Sequence, residues 1–235
     1  MMRQKSNSAE VPLPPWEVRR KTEVPQRAPL TAERIVDAAL AVVDTEGSGA
    51  VTMRRIAGDL GVVASSLYAH VRNREELLLL VLERVMKEVG VPEVTGQWDA
   101  DLKAHYTKMQ RVLSAHGDIA LYNFAAFPPT AIGVAITERL LSVLLNVGVP
   151  PKIAAWALHR LTLYTTADVY EGWRLANKDL ADWIDPVRDY FASLPADRFP
   201  SIVGNVDVML DTDSDGRFEL GLDMLISGLA TFVTD

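Results

Sequence analysis

Apolar residues recur every three or four positions along most of this 235-residue chain, which is the spacing of helices with one buried face. The first such segment, 32–46, carries Ile35, Ala39 and Val43, and Thr31 is placed to cap its first backbone amides. No alternation of apolar and polar residues persists as it does in strands. The pattern therefore predicts an all-α fold with nine or ten helices.

Two short helices and a long one are predicted next. Thr52 is an N-cap candidate for a helix that runs to Leu60, and Gly61 is placed to supply a left-handed turn at its end. Residues 64–71 form the second short helix. Asn73 then caps the long helix, whose first turn is acidic, as the positive end of a helix favours.

Beyond residue 90 the pattern predicts one helix after another, separated by glycine or proline and without an internal repeat. The predicted segments lie near residues 98–115, 118–126, 130–147, 151–176, 179–193 and 217–233. The first 29 residues differ, because they contain five prolines among charged residues. That composition predicts a flexible extension.

Composition narrows the class of protein. The chain has no cysteine, so neither disulfides nor thiolate zinc sites are available, which fits a reducing cytoplasm. Before residue 100 the longest purely apolar run is 77–82, too short to span a bilayer, and the N-terminus lacks the apolar middle region of a secretory signal. We therefore expect a soluble cytoplasmic protein with no membrane partner.

The net charge of −7 by itself disfavours a nucleic-acid partner, but the charge is unevenly distributed. Residues 1–90 carry 13 Lys and Arg against 12 Asp and Glu, whereas residues 91–235 carry 11 against 19. Between Gly47 and Arg74, four arginines are accompanied by Asp59 as the only acidic residue. Because the field within a Debye length of a contact dominates, this basic segment remains compatible with DNA binding.

Residues 52–71 have the layout of a helix-turn-helix, in which the second helix lies in the major groove of DNA. Ile56, Leu67 and Val71 supply an apolar core, and Gly61 permits the tight turn. The side chains left outside are small, hydroxylated, aromatic or basic, which suits base edges and phosphates. The DNA-contacting candidates are Thr52, Arg54, Ser65, Ser66, Tyr68, His70, Arg72 and Arg74. A surface helix of an unrelated bundle is the alternative interpretation of this spacing.

The N-terminal extension is also basic near the predicted first helix. Arg19, Arg20, Lys21 and Arg27 all lie there. Two interpretations stay open: a solvated tail, or an arm that touches DNA phosphates or the minor groove.

The sequence from Leu30 to Val85 resembles the N-terminal domain of the tetracycline-repressor (TetR) family of bacterial transcription regulators. The resemblance rests on the long first helix, on TMRRIAGDLGV at 52–62 and on SLYAHVRNREEL at 66–77. A weaker resemblance to the C-terminal domain of the tetracycline-repressor subgroup lies at FELGLDMLISGL, residues 218–229. Following the proline-rich extension at 1–29, the family implies a helix-turn-helix DNA-binding domain at 30–76 and a larger helical ligand-binding and dimerisation domain at 77–235.

By the same resemblance the protein is a homodimer that binds a palindromic operator. The family's dimer interface is a four-helix bundle, which here would use residues 151–176 and 217–233. The last helix carries an apolar stripe, and the expected interface residues are Phe218, Leu222, Leu225, Leu229 and Phe232. Taken alone, such a stripe is more typical of a core within one chain, and it is the resemblance that favours a two-fold interface.

The resemblance further implies a small-molecule effector enclosed by the middle helices. Aromatic residues with a few polar ones suggest an apolar pocket, although each is also typical of plain core. The ligand-binding candidates are Trp98, His105, Tyr106, Met109, His116, Asn123, Phe124, Phe127, Trp156, Tyr164, Asp168 and Trp173.

No metal or other cofactor is predicted. The subgroup's metal-coordinating histidine falls at Asn123 here, which disfavours magnesium–tetracycline chemistry. His105 and His116 lie eleven residues apart, roughly 16 Å along a straight helix, too far for one ion. DTDSDG at 211–216 imitates the start of a calcium loop, but Leu222 stands where that loop needs a bidentate glutamate.

These observations predict a ligand-responsive repressor. A regulator activated by its ligand, or a repressor that needs a co-repressor, is equally compatible with the residues. A helical enzyme is the remote alternative, since the chain has no P-loop, no G-x-S-x-G, no H-E-x-x-H and no cysteine nucleophile. A purely structural DNA protein is disfavoured by the aromatic middle region.

Overall fold

The structure, a computed structural model, describes residues 29–123, 130–176, 181–211 and 213–233. Over these ranges it consists of α-helices and one short 3-10 turn, with no strand, which confirms the all-α prediction. Before residue 91 the described elements are α1 (Ala32–Glu46), the 3-10 turn Ser48–Ala50, α2 (Met53–Leu60), α3 (Ala64–Leu67) and α4 (Arg74–Val89).

Local sequence signals set the ends of these first helices. The side chains of Thr31, Thr52 and Asn73 each accept a hydrogen bond from the backbone amide three residues further on, at 3.3, 3.1 and 2.8 Å. Gly61 ends α2 with φ of 65°, in the left-handed region that favours glycine. These caps and this turn were predicted from the sequence and are confirmed.

Helix α3 is shorter than predicted. It ends at Leu67, and residues 68–70 form a turn rather than a further helical stretch. The amides of His70 and Val71 both bond to the Leu67 carbonyl, at 2.9 and 3.0 Å, so the chain tightens toward Asn73.

We call residues 31–73, which hold α1 to α3, the head, and residues 91–233 the body. The body contains long helices and a set of short ones. Its described helices are α5 (Trp98–Ser114), α6 (Ala120–Asn123), α7 (Ala131–Asn146), α8 (Pro151–Ala176), α9 (Ala181–Ala192), α10 (Pro200–Val203), α11 (Val206–Met209) and α12 (Ser214–Ala230). The two four-residue helices α10 and α11 were not predicted, because four residues carry too little periodicity to detect. None of the helices in the described ranges is long and apolar enough to cross a membrane.

Helix α4 lies at the centre of the packing. It packs against α1 on one side and against α5 and α7 on the other, while α5 packs on α8 and α12 packs on both α5 and α8. Leu77, Leu78 and Val81 of α4 are fully buried. The predicted domain boundary at residue 76 therefore lies within α4, which packs against helices on both sides of that boundary. The division into domains stays a prediction.

Candidate functional site

Helices α2 and α3 bury their apolar residues and leave polar ones outside. Ile56 and Leu67 are completely buried, and Ala57 is only 3% exposed where the two helices cross. We call the exposed DNA-contacting candidates of this pair and its flanking residues the recognition surface, and they are Thr52, Arg54, Ser65, Tyr68 and His70. Tyr68 is 55% exposed, so its ring is available to a partner rather than packed in the core.

The other three DNA-contacting candidates differ in their surroundings. Ser66 is half-buried, and Arg72 is exposed beside Glu76, with 3.1 Å between Nε and Oε1. Arg74 is turned inward. Its guanidinium donates to the carbonyls of Ser48 and Val51 at 2.7 and 2.8 Å and to the Tyr122 hydroxyl at 3.3 Å. The structure thus removes Arg74 from the exposed set, because its donors hold the chain's own backbone.

One exposed apolar residue next to the recognition surface was missed from the sequence. Val63 is 67% exposed at the N-cap of α3. An apolar side chain at the start of a recognition helix suits contact with a thymine methyl group. No clear signal in the sequence indicated this exposure, because consecutive apolar residues such as Val42 and Val43 are both buried in this chain.

A cavity of about 340 Å³ lies among α4, α5, α7 and α8. We call it the inner cavity. Four ligand-binding candidates line it, namely His105, Tyr106, Met109 and Asn123. The remaining lining residues were not predicted, and they are Met86, Thr130, Gly133, Ile136, Thr137, Leu140, Leu141, Ala155, Leu158, His159 and Thr162. Its volume falls within the range of small-molecule sites.

The described wall of the inner cavity has no charged side chain. Burial lowers the pKa of His105 to about 4, with a smaller contribution from the nearby Lys108 charge, so the imidazole is neutral at pH 7. Burial also raises the pKa of Tyr106 to about 12. The Tyr106 hydroxyl donates to the Leu158 carbonyl at 3.2 Å. The cavity therefore offers neutral polar groups within apolar walls.

The other ligand-binding candidates lie elsewhere, which corrects the predicted pocket. Trp98 does not line the inner cavity, and Trp156 is 59% exposed on the outer side of α8. Tyr164 stacks on Phe218 with ring centroids 5.5 Å apart. Asp168 and Trp173 line a separate cavity near the C-terminal end of α8. Phe124 and Phe127 lie outside the described residues.

Asp168 is half-buried in that separate cavity, and its burial raises the pKa of the carboxyl group. The Gln110 amide approaches it at 3.4 Å and acts in the opposite direction. Asp168 and Trp173 were predicted to share a pocket with His105, because the family encloses its ligand among the middle helices, but α8 is too long for that. Twenty-six residues extend about 39 Å, so its two ends cannot face one small ligand.

The turn between α5 and α6 joins the head to the body. The buried Asp118 carboxylate accepts from the Ser48 amide at 2.6 Å and from the Ser48 hydroxyl at 2.8 Å. His116 was predicted for the pocket, but its imidazole faces two acidic residues instead. Nδ1 lies 3.0 Å from Oδ1 of Asp44, and Nε2 lies 3.5 Å from Oε2 of Glu88. At the other end of α6, the Asn123 amide donates to Thr166 at 3.1 Å. Helix α6 thus connects the cavity wall to the head.

Helix α12 has two apolar faces. Phe218, Leu222 and Leu229 are at most 4% exposed within this chain, as is typical of core, so the predicted interface stripe is corrected at these three positions. Leu225 is 38% exposed. The exposed apolar residues at this end of the chain are Leu220, Met224, Leu225 and Phe232. The predicted stripe contained only Leu225 and Phe232 of these four.

A groove of about 520 Å³ runs between the outer sides of α8 and α12. We call it the outer groove. Trp156 and Leu225 line it, and Gly228 lies in it with nothing within 4 Å of the place where a Cβ would stand. Gly221, in contrast, is covered by the Tyr164 ring of the same chain. An exposed apolar groove beside an open glycine is typical of an interface between proteins.

Among the described residues, no group of three or more histidine and acidic side chains is placed to hold a metal ion. The acidic segment that imitates a calcium loop leads into α12, where the Asp213 side chain accepts from the Gly216 amide at 3.0 Å. Asp213 therefore caps the N-terminus of α12.

Two family descriptions match the chain. Residues 35–81 match "Bacterial regulatory proteins, tetR family", and residues 92–233 match "Tetracyclin repressor-like, C-terminal domain". Among solved structures, the chain is similar to the Streptomyces coelicolor TetR family protein ActR in complex with actinorhodin. The TM-score is 0.81 and the identity 38%, over 88% of this chain and 99% of that chain.

Curated proteins give the same picture. An HTH-type transcriptional regulator of Saccharopolyspora erythraea is 29% identical over 206 residues, which cover 86% of this chain and 85% of the relative. Tetracycline repressor protein class G of Vibrio anguillarum is 28% identical over 198 residues, which cover 83% of this chain and 90% of the relative. Both relatives are regulators by name, and both are matched through head and body.

Proposed function

Because this chain belongs to the TetR family of bacterial regulatory proteins, we propose that it is a homodimeric transcriptional repressor. It binds a palindromic operator through the recognition surface and leaves the operator when a small, largely apolar effector fills the inner cavity. The observation that carries the proposal is the exposure of Arg54, Tyr68 and His70 on a helix pair whose apolar residues are buried.

The recognition surface suits DNA in chemistry as well as in shape. Arg54 is exposed near the start of α2, where it can reach a phosphate. Ser65 and Val63 are small enough at the start of α3 to approach base edges and a thymine methyl group. The acidic body does not oppose this contact, because screening limits its field to about a Debye length.

The outer groove supports a two-fold dimer. A second copy placed on it would bury Leu225, Met224 and Trp156 of both protomers, and the open Gly228 allows close approach of backbones. Two heads held by one interface read the two halves of a palindrome about one helical turn apart.

The dimer is tested by charge substitution at Leu225, which lines the groove, and at Met224, the exposed residue before it on α12. Met224→Glu and Leu225→Glu together should give monomers by light scattering, because two carboxylates would be buried without partners. Val134→Glu, at a residue that is 53% exposed on α7, is the matched control and should leave the dimer intact. A stable dimer of the double variant would place the interface elsewhere.

Coupling between cavity and head is supported by α6. A ligand that displaces Asn123 acts on a four-residue helix, near whose other end Asp118 is bonded to Ser48 of the head. A small movement of α6 would change the spacing of the two heads away from one DNA turn.

The proposal is tested with a random-sequence duplex library at near-physiological salt. Enrichment of one palindromic motif by the purified protein is the expected result, and no enriched motif would contradict it. Actinorhodin, bound in the similar Streptomyces coelicolor structure, serves as the first candidate effector. Release of the selected duplex supports a ligand-released repressor, whereas tighter binding supports the co-repressor alternative.

A further inference from the structure

A buried histidine of the inner cavity makes no hydrogen bond to any other residue that the structure describes. His105 is 5% exposed and lines the cavity. Its ring meets that of Tyr106 with centroids 5.2 Å apart and planes at 79°. Among the described residues, neither nitrogen of the His105 ring has a hydrogen-bond partner. A buried imidazole in this state is poised to bind a polar group of a ligand.

The neighbouring polar groups are already engaged. The Tyr106 hydroxyl donates to the Leu158 carbonyl and lies 3.5 Å from the Thr162 hydroxyl. The Asn123 amide donates to Thr166 at 3.1 Å, and the Thr130 hydroxyl caps α7 by accepting from the Gly133 amide at 3.2 Å. Thr137 and His159 also line the cavity, but both are exposed. His105 is therefore the buried anchor that the described wall leaves available.

The same wall disfavours a charged ligand. No aspartate, glutamate, lysine or arginine lines the inner cavity among the described residues. Because burial keeps the pKa of His105 near 4, the imidazole does not supply a counter-ion at neutral pH either. An ionised ligand would be desolvated here without a partner.

Resting on the proposed function, we infer that the effector is an uncharged, largely apolar molecule whose hydroxyl group hydrogen-bonds to the imidazole of His105. A neutral imidazole has one donor and one acceptor nitrogen, and a hydroxyl group pairs with either. The two methionines of the wall, Met86 and Met109, add polarisable contacts that favour an aromatic ring.

Three two-ring probes of one shape test the charge requirement. They are 2-naphthol, which is neutral at pH 7, 2-naphthoate, an anion, and 2-(aminomethyl)naphthalene, a cation. Equilibrium dialysis against the full chain should show 2-naphthol binding at least about tenfold more tightly than either ion, because the ions lose hydration without gaining a partner. Equal or tighter binding of an ion, or no binding of 2-naphthol, would overturn the inference.

The role of His105 is tested with 2-methylnaphthalene, which lacks the hydroxyl group. The wild type should prefer 2-naphthol over 2-methylnaphthalene, and His105→Phe should abolish the preference while leaving 2-methylnaphthalene binding intact. His105→Asn retains a donor and an acceptor and should keep part of the preference, which covers the case in which the phenylalanine variant misfolds. If His105→Phe prefers 2-naphthol as strongly as the wild type does, His105 is not the residue that binds the hydroxyl group.

These measurements use no DNA, so the two proposals fail separately. A selected operator with no discrimination among the probes would overturn the ligand class alone. The expected discrimination without any enriched DNA motif would overturn the repressor function and leave the chemistry of the cavity standing.

Discussion

The recognition surface and the inner cavity differ in how their residues are assembled. Thr52 to His70 form one short segment, and each exposed side chain is fixed by caps and turns within a few residues. The inner cavity instead takes residues from Met86 to Thr162, on four long helices. A local pattern can therefore specify the first region, whereas the second exists only after the helices have packed.

The difference has an energetic consequence. A substitution on the recognition surface removes an exposed side chain and should change DNA binding with little change in the free energy of unfolding. A substitution in or beside the cavity removes buried contacts and should change the stability of the whole chain. The contact between Asp118 and Ser48 belongs to neither region, but it holds the head to the body, and its loss should show the largest effect on stability.

Asp118→Ala should destabilise the chain by roughly 3 to 5 kcal/mol, because two charge-assisted hydrogen bonds are lost and the buried Ser48 groups lose their acceptor. Urea unfolding monitored by circular dichroism measures the loss. Glu138→Ala, at an exposed acid on α7, is the control and should be nearly neutral. A loss below about 1 kcal/mol for Asp118→Ala would show that the junction contributes little to holding head and body together.

His105 should make stability depend on pH. The unfolded imidazole titrates near 6.5 and the folded one near 4, so the unfolded chain binds an additional proton between these values. The free energy of unfolding should fall by about 2 to 3 kcal/mol as the pH falls from 6.5 to 4. Above pH 6.5 the neutral His105 should no longer reduce it. Urea unfolding at several pH values should show this slope reduced in His105→Phe. The same slope in variant and wild type would assign it to other groups.

Arg54→Ala should weaken binding to the selected operator about tenfold or more and lower the salt slope by about one, without changing stability. Fluorescence anisotropy at two salt concentrations measures both quantities. Arg139→Ala, at an exposed arginine on α7, is the matched control. Unchanged operator affinity for Arg54→Ala would contradict its place on the recognition surface.

Two glycines of α2 should respond in opposite directions. Gly61 has φ of 65°, so Gly61→Ala should destabilise by about 1 kcal/mol. Gly58 is inside the helix with open space around it, so Gly58→Ala should stabilise by up to about 1 kcal/mol. Thermal unfolding of the pair measures both. Equal effects of the two changes would show that the left-handed turn is not what Gly61 supplies.

Much of the head could be predicted from sequence, for a physical reason. Thr31, Thr52, Asn73 and Gly61 act on backbone groups of their own helices, so the residue type alone indicates its role. Arg74 is the exception, because the carbonyls it binds belong to the turn at Ser48 and Val51, more than twenty residues earlier.

The cavity could be predicted only in part. Choosing aromatic residues found Tyr106, but it also selected Trp156 and Trp173, which α8 carries to other surfaces. The α12 stripe shows the same limit. Periodicity identified an apolar helix but could not separate the face that packs inward from the face that stays exposed, because both faces are apolar.

The most direct test of the central claim is a hydroxyl-radical footprint on the selected duplex. Wild-type protein should protect two patches one helical turn apart, about 10 base pairs between their centres, and Arg54→Ala with Tyr68→Ala should erase both together. A single patch, or an unchanged footprint with the double variant, would contradict the account of a dimer that binds DNA through α2 and α3.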